Sequence, residues 1–341
     1  MKKLITVFLA LFLSLSVFSA PVFAASKFND VTTKTSGYKQ IMWASATGIV
    51  NGFNDGTFRP DDNCTRAQLA VMLWRLKGEP SVSGSNPFPD VGSYSGNVQK
   101  AITWVYKMGI VSGFDDGTYR PDDNVTRQQM AIMLWRMAGQ PTVSTSSLPF
   151  SDISGCSPGV KKAIVWAAKM GISMGSNGKF DPKGDCTRAQ LAIFLYRYHY
   201  KLDFNDYSYE ELNVLLPNNM EFTKYDPEEG FDFEYWGEKG SKTVLVYGFQ
   251  LKKSDVTDEY SNLTVRSFSE IMLEDSEYKV LYELKNLLIV SENLEADGDR
   301  YYFINAYYVT DSAYYVVYYQ RDSSSTFTDK EFLDWAIAIG A

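Results

Sequence analysis

The sequence contains few of the residues on which most hydrolytic and metal sites depend. It has one histidine, His199, and three cysteines, and residues 203–341 contain neither type. A nucleophile activated by histidine and an ordinary zinc site are therefore excluded from that part of the chain, where only carboxylate chemistry stays open. His199 falls at the end of a predicted helix, and we interpret it as a surface residue rather than as a catalytic base.

Basic residues and long apolar runs are also scarce. Acidic residues outnumber basic ones by 41 to 33, which argues against nucleic acid as a partner because phosphate binding needs a basic face. Residues 1–24 have a charged start, an apolar stretch and Ala24 at a cleavage position. They predict an export signal that is removed, with an uncleaved anchor as the alternative. No later run is long enough to cross a bilayer, so the mature chain is expected outside the cytoplasmic membrane, either free or bound to the wall.

The three cysteines are Cys64, Cys156 and Cys186. Cys64 and Cys186 each precede a Thr-Arg pair, and Val125 holds the same position in a third copy of that segment. Valine and cysteine exchange best at a small buried site, so core packing is the favoured interpretation. A disulfide between Cys156 and Cys186 is the alternative, since sequence alone does not fix connectivity.

A short segment occurs three times at a constant spacing. It reads Thr-Arg-Ala-Gln at 65–68, Thr-Arg-Gln-Gln at 126–129 and Thr-Arg-Ala-Gln at 187–190. A threonine followed three residues later by glutamine, ahead of an apolar run, predicts a capped helix start. The pattern does not explain the arginine, because a cation in the first turn faces the positive end of the helix dipole, at a cost of about 0.3–1 kcal/mol. Three such arginines predict a negative partner, either a carboxylate of the protein or an anionic ligand.

Each copy belongs to a longer repeat. The repeats open with Phe-x-Asp at residues 28–30, 88–90 and 150–152, and a helical apolar stripe then runs to a glycine. A turn-rich loop with an Asp-Gly pair leads to the capped helix. The predicted repeats span 27–78, 87–139 and 149–200. Two short helices cannot bury a core alone, so the three units are expected to pack together.

The order of these motifs, three times over, resembles the S-layer homology (SLH) domain across roughly half of the chain. The resemblance implies an α-helical, pseudo-threefold module that holds a protein non-covalently on the wall of a Gram-positive bacterium. It implies as ligand an anionic secondary wall polysaccharide, often carrying pyruvate ketals, that lies in grooves between repeats. The residues at the family's binding positions are Arg66, Arg127, Arg188, Asp30, Asp90, Asp152, Trp43, Trp104, Trp166, Gly48, Gly109 and Gly171.

Each of these groups also has a purely structural interpretation. The arginines either form internal salt bridges with the three aspartates or bind an external carboxylate. The two interpretations are compatible, because an aspartate that pairs with the arginine also orients it for a ligand. The tryptophans are core-edge residues or platforms for a sugar ring; Trp104 lies about 100° from the apolar stripe of its helix. The glycines end helices, or they let a ligand approach the backbone.

The third repeat departs from the other two. Its loop is one residue shorter, it lacks a match for Phe53 and Phe114, and it has Asp181 where the first repeat has Arg59. Its groove is therefore expected to be the least effective. The acidic loop 54–62 does not have the spacing of an EF-hand, because Phe53 stands where an oxygen ligand is needed. No metal site and no cofactor are predicted.

Residues 203–341 are predicted to form a separate α+β domain with an antiparallel sheet. Strands are expected over 242–251, 287–290, 301–309 and 313–320, with helices opening at Ser267 and after Thr328. This order resembles PsbP/Mog1-like sandwiches. Paired tyrosines within residues 301–319 put aromatic rings on both faces of a hairpin; packing on one face and cross-strand pairs on the other explain them, and a ligand-binding face is the alternative.

The export signal predicts a secreted protein, and the resemblance implies that it is held at the Gram-positive wall or S-layer, where we expect it to display a non-catalytic binding or interaction domain. One alternative is a wall-associated enzyme with carboxylate-based activity in residues 203–341. Its candidates are Glu228 with Glu229 and Asp232 with Glu234, as in a glycosidase pair. The other alternative is a structural component of the S-layer.

Overall fold

The computed structural model describes residues 28–207, 212, 214–228, 231–239, 242–257, 260–273, 278–296, 299–322 and 327–340. The predicted export signal and Glu229 lie outside these residues. The described chain forms two compact units. One contains Phe28–Asp206 with Leu215–Asn218, and the other contains Tyr207–Val214 with Asn219–Ala341. Within the described ranges, no helix has both the length and the apolar character that a bilayer span requires.

The N-terminal unit places two helices in each predicted repeat. They are α1 Tyr38–Ala46, α2 Arg66–Leu76, α3 Gly96–Lys107, α4 Arg127–Met137, α5 Pro158–Lys169 and α6 Arg188–Leu202. The second helix of each repeat starts in a complete capping box, formed by Thr65 with Gln68, Thr126 with Gln129, and Thr187 with Gln190. The three predicted helix starts are therefore confirmed.

A closed ring of backbone hydrogen bonds joins the three repeats. The N–H of Cys64 donates to the carbonyl of Cys186, that of Val125 to Cys64, and that of Cys186 to Val125, each over 2.9 Å. All three side chains are fully buried, so core packing is confirmed for both cysteines. Burial raises the pKa of each of these two thiols to about 12. All three cysteines of the chain are free, so the alternative of a Cys156–Cys186 disulfide is wrong.

The start of each second helix contacts the loop of the following repeat. The first free N–H groups of α2, those of Arg66 and Ala67, donate to the carbonyls of Asp123 and Pro121 over 2.9 Å. Helix α4 makes the equivalent bonds to the third repeat, and α6 makes them to the first. The first N–H groups of a helix have no hydrogen-bond acceptor within the helix. Here the loop of the next repeat supplies the carbonyl acceptors. Each repeated arginine therefore lies against a neighbouring repeat.

An ion-pair network ties the end of α6 to the end of α2. Asp203 accepts hydrogen bonds from Nζ of Lys77 and lies 2.9 Å from Nδ1 of His199. His199 is buried, with its ring against those of Trp43, Tyr200 and Phe204. The interpretation of His199 as a surface residue is therefore wrong, because the ring of repeats closes over the end of its helix.

The substitution Asp203→Asn should destabilise the chain at neutral pH but not in acid. Burial opposes ionisation of Asp203, but the hydrogen bonds and charges of His199 and Lys77 outweigh it and lower the pKa. A lowered folded-state pKa gives stability that is present above the unfolded value, about 4, and is lost as the pH falls through the folded-state pKa. We expect a loss of about 1–2 kcal/mol at pH 7 that disappears in acid. Urea unfolding of the variant and the wild type at pH 7 and in acid measures this loss of unfolding free energy. A loss of the same size at neutral and acidic pH would contradict the prediction.

The C-terminal unit is built on a seven-stranded antiparallel sheet in the order β3-β4-β5-β9-β8-β7-β6. Its strands are β3 Glu221–Tyr225, β4 Phe233–Lys239, β5 Lys242–Lys252, β6 Tyr278–Leu284, β7 Leu287–Ala296, β8 Asp299–Val309 and β9 Ala313–Asp322. Its helices are α7 Val265–Met272 and α8 Asp329–Ile337. The predicted combination of an antiparallel sheet with helices is confirmed. The remaining two strands, β1 Phe204–Asp206 and β2 Leu215–Pro217, pair within the N-terminal unit.

Helices pack on both faces of this sheet. The ring of Phe268 on α7 contacts Tyr307 and Tyr314. Trp335 on α8 contacts Tyr319. Tyr319 lies five positions after Tyr314 on β9, so its side chain is on the opposite face of the sheet. The tyrosines of β8 and β9 are therefore buried by packing on both faces, not on one face alone as predicted. Cross-strand pairing also occurs, between Tyr308 and Tyr315.

Candidate functional site

The three repeated arginines occupy equivalent sites, each built by two neighbouring repeats. Nε of the arginine donates to a carbonyl of the next repeat's loop: Arg66 to Tyr119 over 2.9 Å, Arg127 to Phe180 over 2.6 Å, and Arg188 to Phe58 over 2.7 Å. Arg66 and Arg188 are only 6% and 4% exposed. The hydrogen bond and the burial fix each of these two guanidinium groups in one orientation.

Aromatic rings surround the buried guanidinium groups. The guanidinium carbon of Arg66 lies 4.7 Å from the ring centre of Tyr119 and 4.8 Å from that of Phe114. Arg188 lies 4.6 Å from Phe58 and 4.8 Å from Phe53. Contacts of this kind stabilise a desolvated cation by up to about 2 kcal/mol each. The rings hold the charge in place but carry no formal negative charge of their own.

Within the described part of the chain, no carboxylate forms an ion pair with these arginines. Nε is the only side-chain group of Arg66 and Arg188 that donates a hydrogen bond there, which leaves Nη1 and Nη2 of each available. Burial lowers the pKa of both arginines, but an arginine stays charged in a protein. The Arg66 and Arg188 sites therefore each present a fixed positive charge with two donor groups ready for an external anion.

The aspartates at the start of each repeat do not pair with the arginines. Asp90 accepts hydrogen bonds from the backbone N–H groups of Tyr119 and Arg120, over 3.0 and 2.7 Å. Asp30 and Asp152 hold the equivalent loop positions of the first and third repeats in the same way. The alternative of an internal salt bridge is therefore wrong. The aspartates instead fix the loop whose carbonyl and ring contact the arginine.

The three tryptophans are buried. Trp43, Trp104 and Trp166 are at most 7% exposed. The first helix of each repeat packs against the second helix of a neighbouring repeat, α1 on α6, α3 on α2 and α5 on α4. The helix of the neighbouring repeat covers the side of the first helix that lies next to its apolar stripe, which is where the tryptophan stands. The interpretation of the tryptophans as exposed platforms for a sugar is therefore wrong, and the core interpretation holds.

The glycines end the first helices. Gly48, Gly109 and Gly171 have φ angles of 72°, 68° and 68°, in the left-handed region that glycine adopts without strain. Hydrogen bonds of the helix C-terminus surround them, such as Gly109 N–H to the carbonyl of Tyr106 over 2.9 Å. The helix-stop interpretation is confirmed. The structure gives no separate support to a close approach of ligand at these positions.

Gly109→Ala should lower the free energy of unfolding by about 1–2 kcal/mol, the cost of the left-handed conformation for a residue with a Cβ. Apart from Gly109 and its two chain neighbours, no described atom lies within 4 Å of the added Cβ, so the cost arises from the backbone alone. Gly92→Ala is the matched control, because Gly92 has equal space and a φ of −62°. Urea unfolding of the two variants measures the difference. Equal stability of both variants would contradict this explanation.

A second arginine, not among the predicted binding residues, accompanies two of the sites. Arg59 lies 3.9 Å from the ring centre of Phe53, and Arg120 lies 3.9 Å from that of Phe114. Each also pairs with an exposed carboxylate, Arg59 with Asp55 and Arg120 with Asp116, over 2.9 Å. The loop segment Asp-Gly-Thr-aromatic-Arg, present at 55–59 and 116–120, is the sequence signal that could have found them.

The Arg127 site differs from the other two. Phe194 of helix α6, at 5.5 Å, stands in for the missing loop phenylalanine. Nη2 of Arg127 donates to Oγ of Ser173 over 3.5 Å, where the first two repeats have valine. The second arginine is replaced by Asp181. Fewer donor groups and one added negative charge make this site less suited to an anion.

Metal ligands do not cluster in the ranges that the structure describes. No group of three or more histidine, cysteine, aspartate or glutamate side chains capable of holding a metal occurs there. In the acidic loop, hydrogen bonds from Thr57, and then from Arg59, occupy the carboxylate of Asp55 and lower its pKa. The loop is thus organised by its own side chains.

Comparison with known proteins identifies the repeats. The S-layer homology domain family matches residues 27–70, 87–131 and 149–192. An endoglucanase of Bacillus sp. strain KSM-635 is 32% identical over 200 residues, which cover 57% of this chain and 21% of the endoglucanase. S-layer protein sap of Bacillus anthracis is 27% identical over 257 residues, which cover 72% of this chain and 31% of that protein. The S-layer protein of Bacillus licheniformis is 25% identical over 290 residues, which cover 82% of this chain and 32% of that protein. The chain therefore spans a third or less of these relatives.

Proposed function

Because residues 27–70, 87–131 and 149–192 are S-layer homology domains, we propose that the N-terminal unit attaches the chain non-covalently to an anionic secondary wall polysaccharide. The attachment places the chain at the wall or S-layer of a Gram-positive bacterium. The observation that carries the proposal is the pair of buried guanidinium groups of Arg66 and Arg188, which have no carboxylate partner in the described residues. A carboxylate of the polysaccharide, such as a pyruvate ketal, supplies that partner.

The chemistry follows from the shape of the guanidinium group. Its planar fork binds a carboxylate through two parallel, charge-assisted hydrogen bonds. The stacked rings and the loop carbonyl orient the fork before the ligand arrives, so little freedom is lost on binding. We assign about 1.5–3 kcal/mol to such a contact. Asp30, Asp90 and Asp152 act on the ligand indirectly, by holding the loops.

Weak sites on one polymer chain act together. In a pseudo-threefold module the three sites belong to one rigid unit, so a polymer bound at Arg66 presents its next carboxylate at high effective concentration to a second site. Combined retention then exceeds that of either site alone. We propose that the Arg66 and Arg188 sites provide most of it and the Arg127 site the least, since Arg127 donates to Ser173 and has Asp181 beside it.

Sedimentation of the chain with purified Gram-positive walls tests this function. We expect the chain to pellet with intact walls and to stay in solution with walls from which the secondary polysaccharide has been removed chemically. A variant without one exposed cation, Lys100→Ala, is the control for general charge effects and should pellet like the wild type. Equal retention on walls with and without the polysaccharide would refute the proposal.

We propose that the C-terminal unit is a non-catalytic domain displayed on the wall. Of the candidate catalytic carboxylates, Asp232 accepts a hydrogen bond from the N–H of Gln250 over 2.6 Å, which gives it a structural role. An enzymatic activity has support only from relatives such as the endoglucanase, of which this chain spans 21%.

A place within the S-layer is the second candidate. The similarity to the S-layer proteins extends over 257 and 290 residues, which is longer than the N-terminal unit and so includes part of the C-terminal unit. Electron microscopy of the purified chain at rising concentration tests this candidate. Ordered arrays support it, and a chain that stays monomeric on the wall polysaccharide argues for a displayed domain instead.

A further inference from the structure

A carboxylate and an amide are buried together on the α7 face of the C-terminal sheet. Glu292 on β7 is 8% exposed and Asn305 on β8 is 1% exposed. Nδ2 of Asn305 donates to Oε2 of Glu292 over 2.8 Å. Asn305 lies two positions from Tyr307, which contacts Phe268 of α7. The pair therefore lies next to the part of the sheet that the helix packs against.

Neither group has the partner that its burial calls for. Among the residues whose side chains the structure describes, Glu292 accepts that single hydrogen bond and forms no ion pair. Oδ1 of Asn305 accepts no hydrogen bond from those residues. A buried charge without a cation and a buried acceptor without a donor are both costly. Two such groups side by side form an acceptor pair that calls for a positively charged hydrogen-bond donor.

Partly exposed aromatic rings border this acceptor pair. Strand register places Tyr318 opposite Asn305 and Tyr278 opposite Glu292. Tyr247 stacks on Tyr318 with ring centres 5.0 Å apart. Tyr247, Tyr278 and Tyr318 are all half-buried. The faces and hydroxyls of these tyrosines can therefore contact a ligand that reaches the acceptors.

Carboxylates act electrostatically on two tyrosines of this cluster. Burial, together with the charges of Glu228, Glu234 and Glu292, raises the pKa of Tyr247 to about 12. Burial and the charge of Glu292 also raise the pKa of Tyr318. The phenols of Tyr247 and Tyr318 are therefore protonated at neutral pH, and the charge that acts on them is that of the carboxylates.

We propose that Glu292, Asn305, Tyr247 and Tyr318 form a binding site for an organic ammonium group. The carboxylate and Oδ1 accept its N–H bonds, and the tyrosine faces contact its positive charge. An anion is excluded by the acceptor pair, and a neutral sugar leaves Glu292 without a counter-charge. Calcium takes six to eight oxygen ligands and magnesium six, more than this pair offers. The proposal does not depend on attachment to the wall.

Titration of the full chain with matched ligands tests the proposal. Glucosamine and N-acetylglucosamine share a sugar ring, but only glucosamine carries an ammonium group; cadaverine carries ammonium groups without a sugar. We expect saturable calorimetric binding of glucosamine and none of N-acetylglucosamine. Binding of cadaverine as well would assign the site to ammonium groups in general, and its failure to bind would assign the site to amino sugars. A wild-type chain that binds neither glucosamine nor cadaverine overturns the proposal.

The substitution Glu292→Gln locates the binding and tests the role of the charge. Glutamine keeps the acceptor for Asn305 and removes the buried charge. We expect the affinity for the bound ammonium compound to fall at least about tenfold, while the thermal midpoint rises because an unpaired buried charge is gone. Glu270→Gln removes the same charge from an exposed position on α7 and should change neither quantity. Equal affinities of Glu292→Gln and the wild type also overturn the proposal.

Discussion

A chain in which both Arg66 and Arg188 are replaced by alanine should lose its retention on walls that carry the secondary polysaccharide. Each substitution removes a charge-assisted contact of about 1.5–3 kcal/mol, so each single variant should bind about 10- to 150-fold more weakly. The two losses multiply because the sites cooperate through one polymer. Arg127→Ala should have a smaller effect, since Nη2 of Arg127 already donates to Ser173. Sedimentation isotherms of the variants measure the effects.

Two controls separate lost recognition from lost folding. Arg66→Lys keeps the charge but cannot form the bidentate contact, so its binding should fall between wild type and alanine. Circular dichroism shows whether each variant is folded, because Arg66 also contacts the loop of the second repeat. A double-alanine variant that is folded and binds walls within about twofold of wild type would contradict the proposed role of these arginines.

Asp90→Ala should destabilise the N-terminal unit by about 2 kcal/mol. The carboxylate is the acceptor for the backbone N–H groups of Tyr119 and Arg120, and Tyr119 is fully buried. A buried N–H left without an acceptor costs about 1–3 kcal/mol. Urea unfolding measures the change. Wall binding, measured on the folded fraction, should weaken only to the extent that the loop moves away from Arg66.

The matched control for this prediction lies in the same loop. Asp115 is exposed, so Asp115→Ala should change the stability by less than about 0.5 kcal/mol. If Asp90→Ala leaves stability at the wild-type value and abolishes wall binding, the aspartate contacts the ligand directly. That outcome would contradict its assignment as a clamp of the loop.

Local sequence patterns predicted the local structure of the repeats well. A capping box depends on residues three apart, so Thr65 with Gln68 and its two copies could be identified from the sequence. The helix stop at Gly109 likewise needs only one residue with a positive φ. Both features involve contacts within one turn, for which the sequence supplies all the participants.

The partners of the arginines could not be predicted because they are distant in sequence. Arg66 donates to Tyr119 across 53 residues, and Arg188 donates to Phe58 across 130. The repeat shows that the arginine matters, but not which loop it meets. The same reason explains Trp104, whose position on a single helix predicted partial exposure while a helix of the neighbouring repeat covers it.

Strands of the C-terminal sheet were predicted only where they are rich in β-branched and aromatic residues. Strand β9, with Val316 and Val317 between tyrosine pairs, gave a clear signal. Strands β4 and β6 contain charged residues, and β6 has a register shift between Val280 and Tyr282. The acceptor pair of Glu292 and Asn305 had no sequence signal, because strand register alone brings the two residues together.

The most direct test of the central claim, that guanidinium groups left open between repeats recognise carboxylates of the wall, uses the purified polysaccharide. The chain is titrated calorimetrically with the intact polysaccharide and with the same material after its carboxylates have been converted to neutral amides. We expect saturable binding of the intact polysaccharide and its loss after amidation. Equal affinity for both materials would contradict the claim.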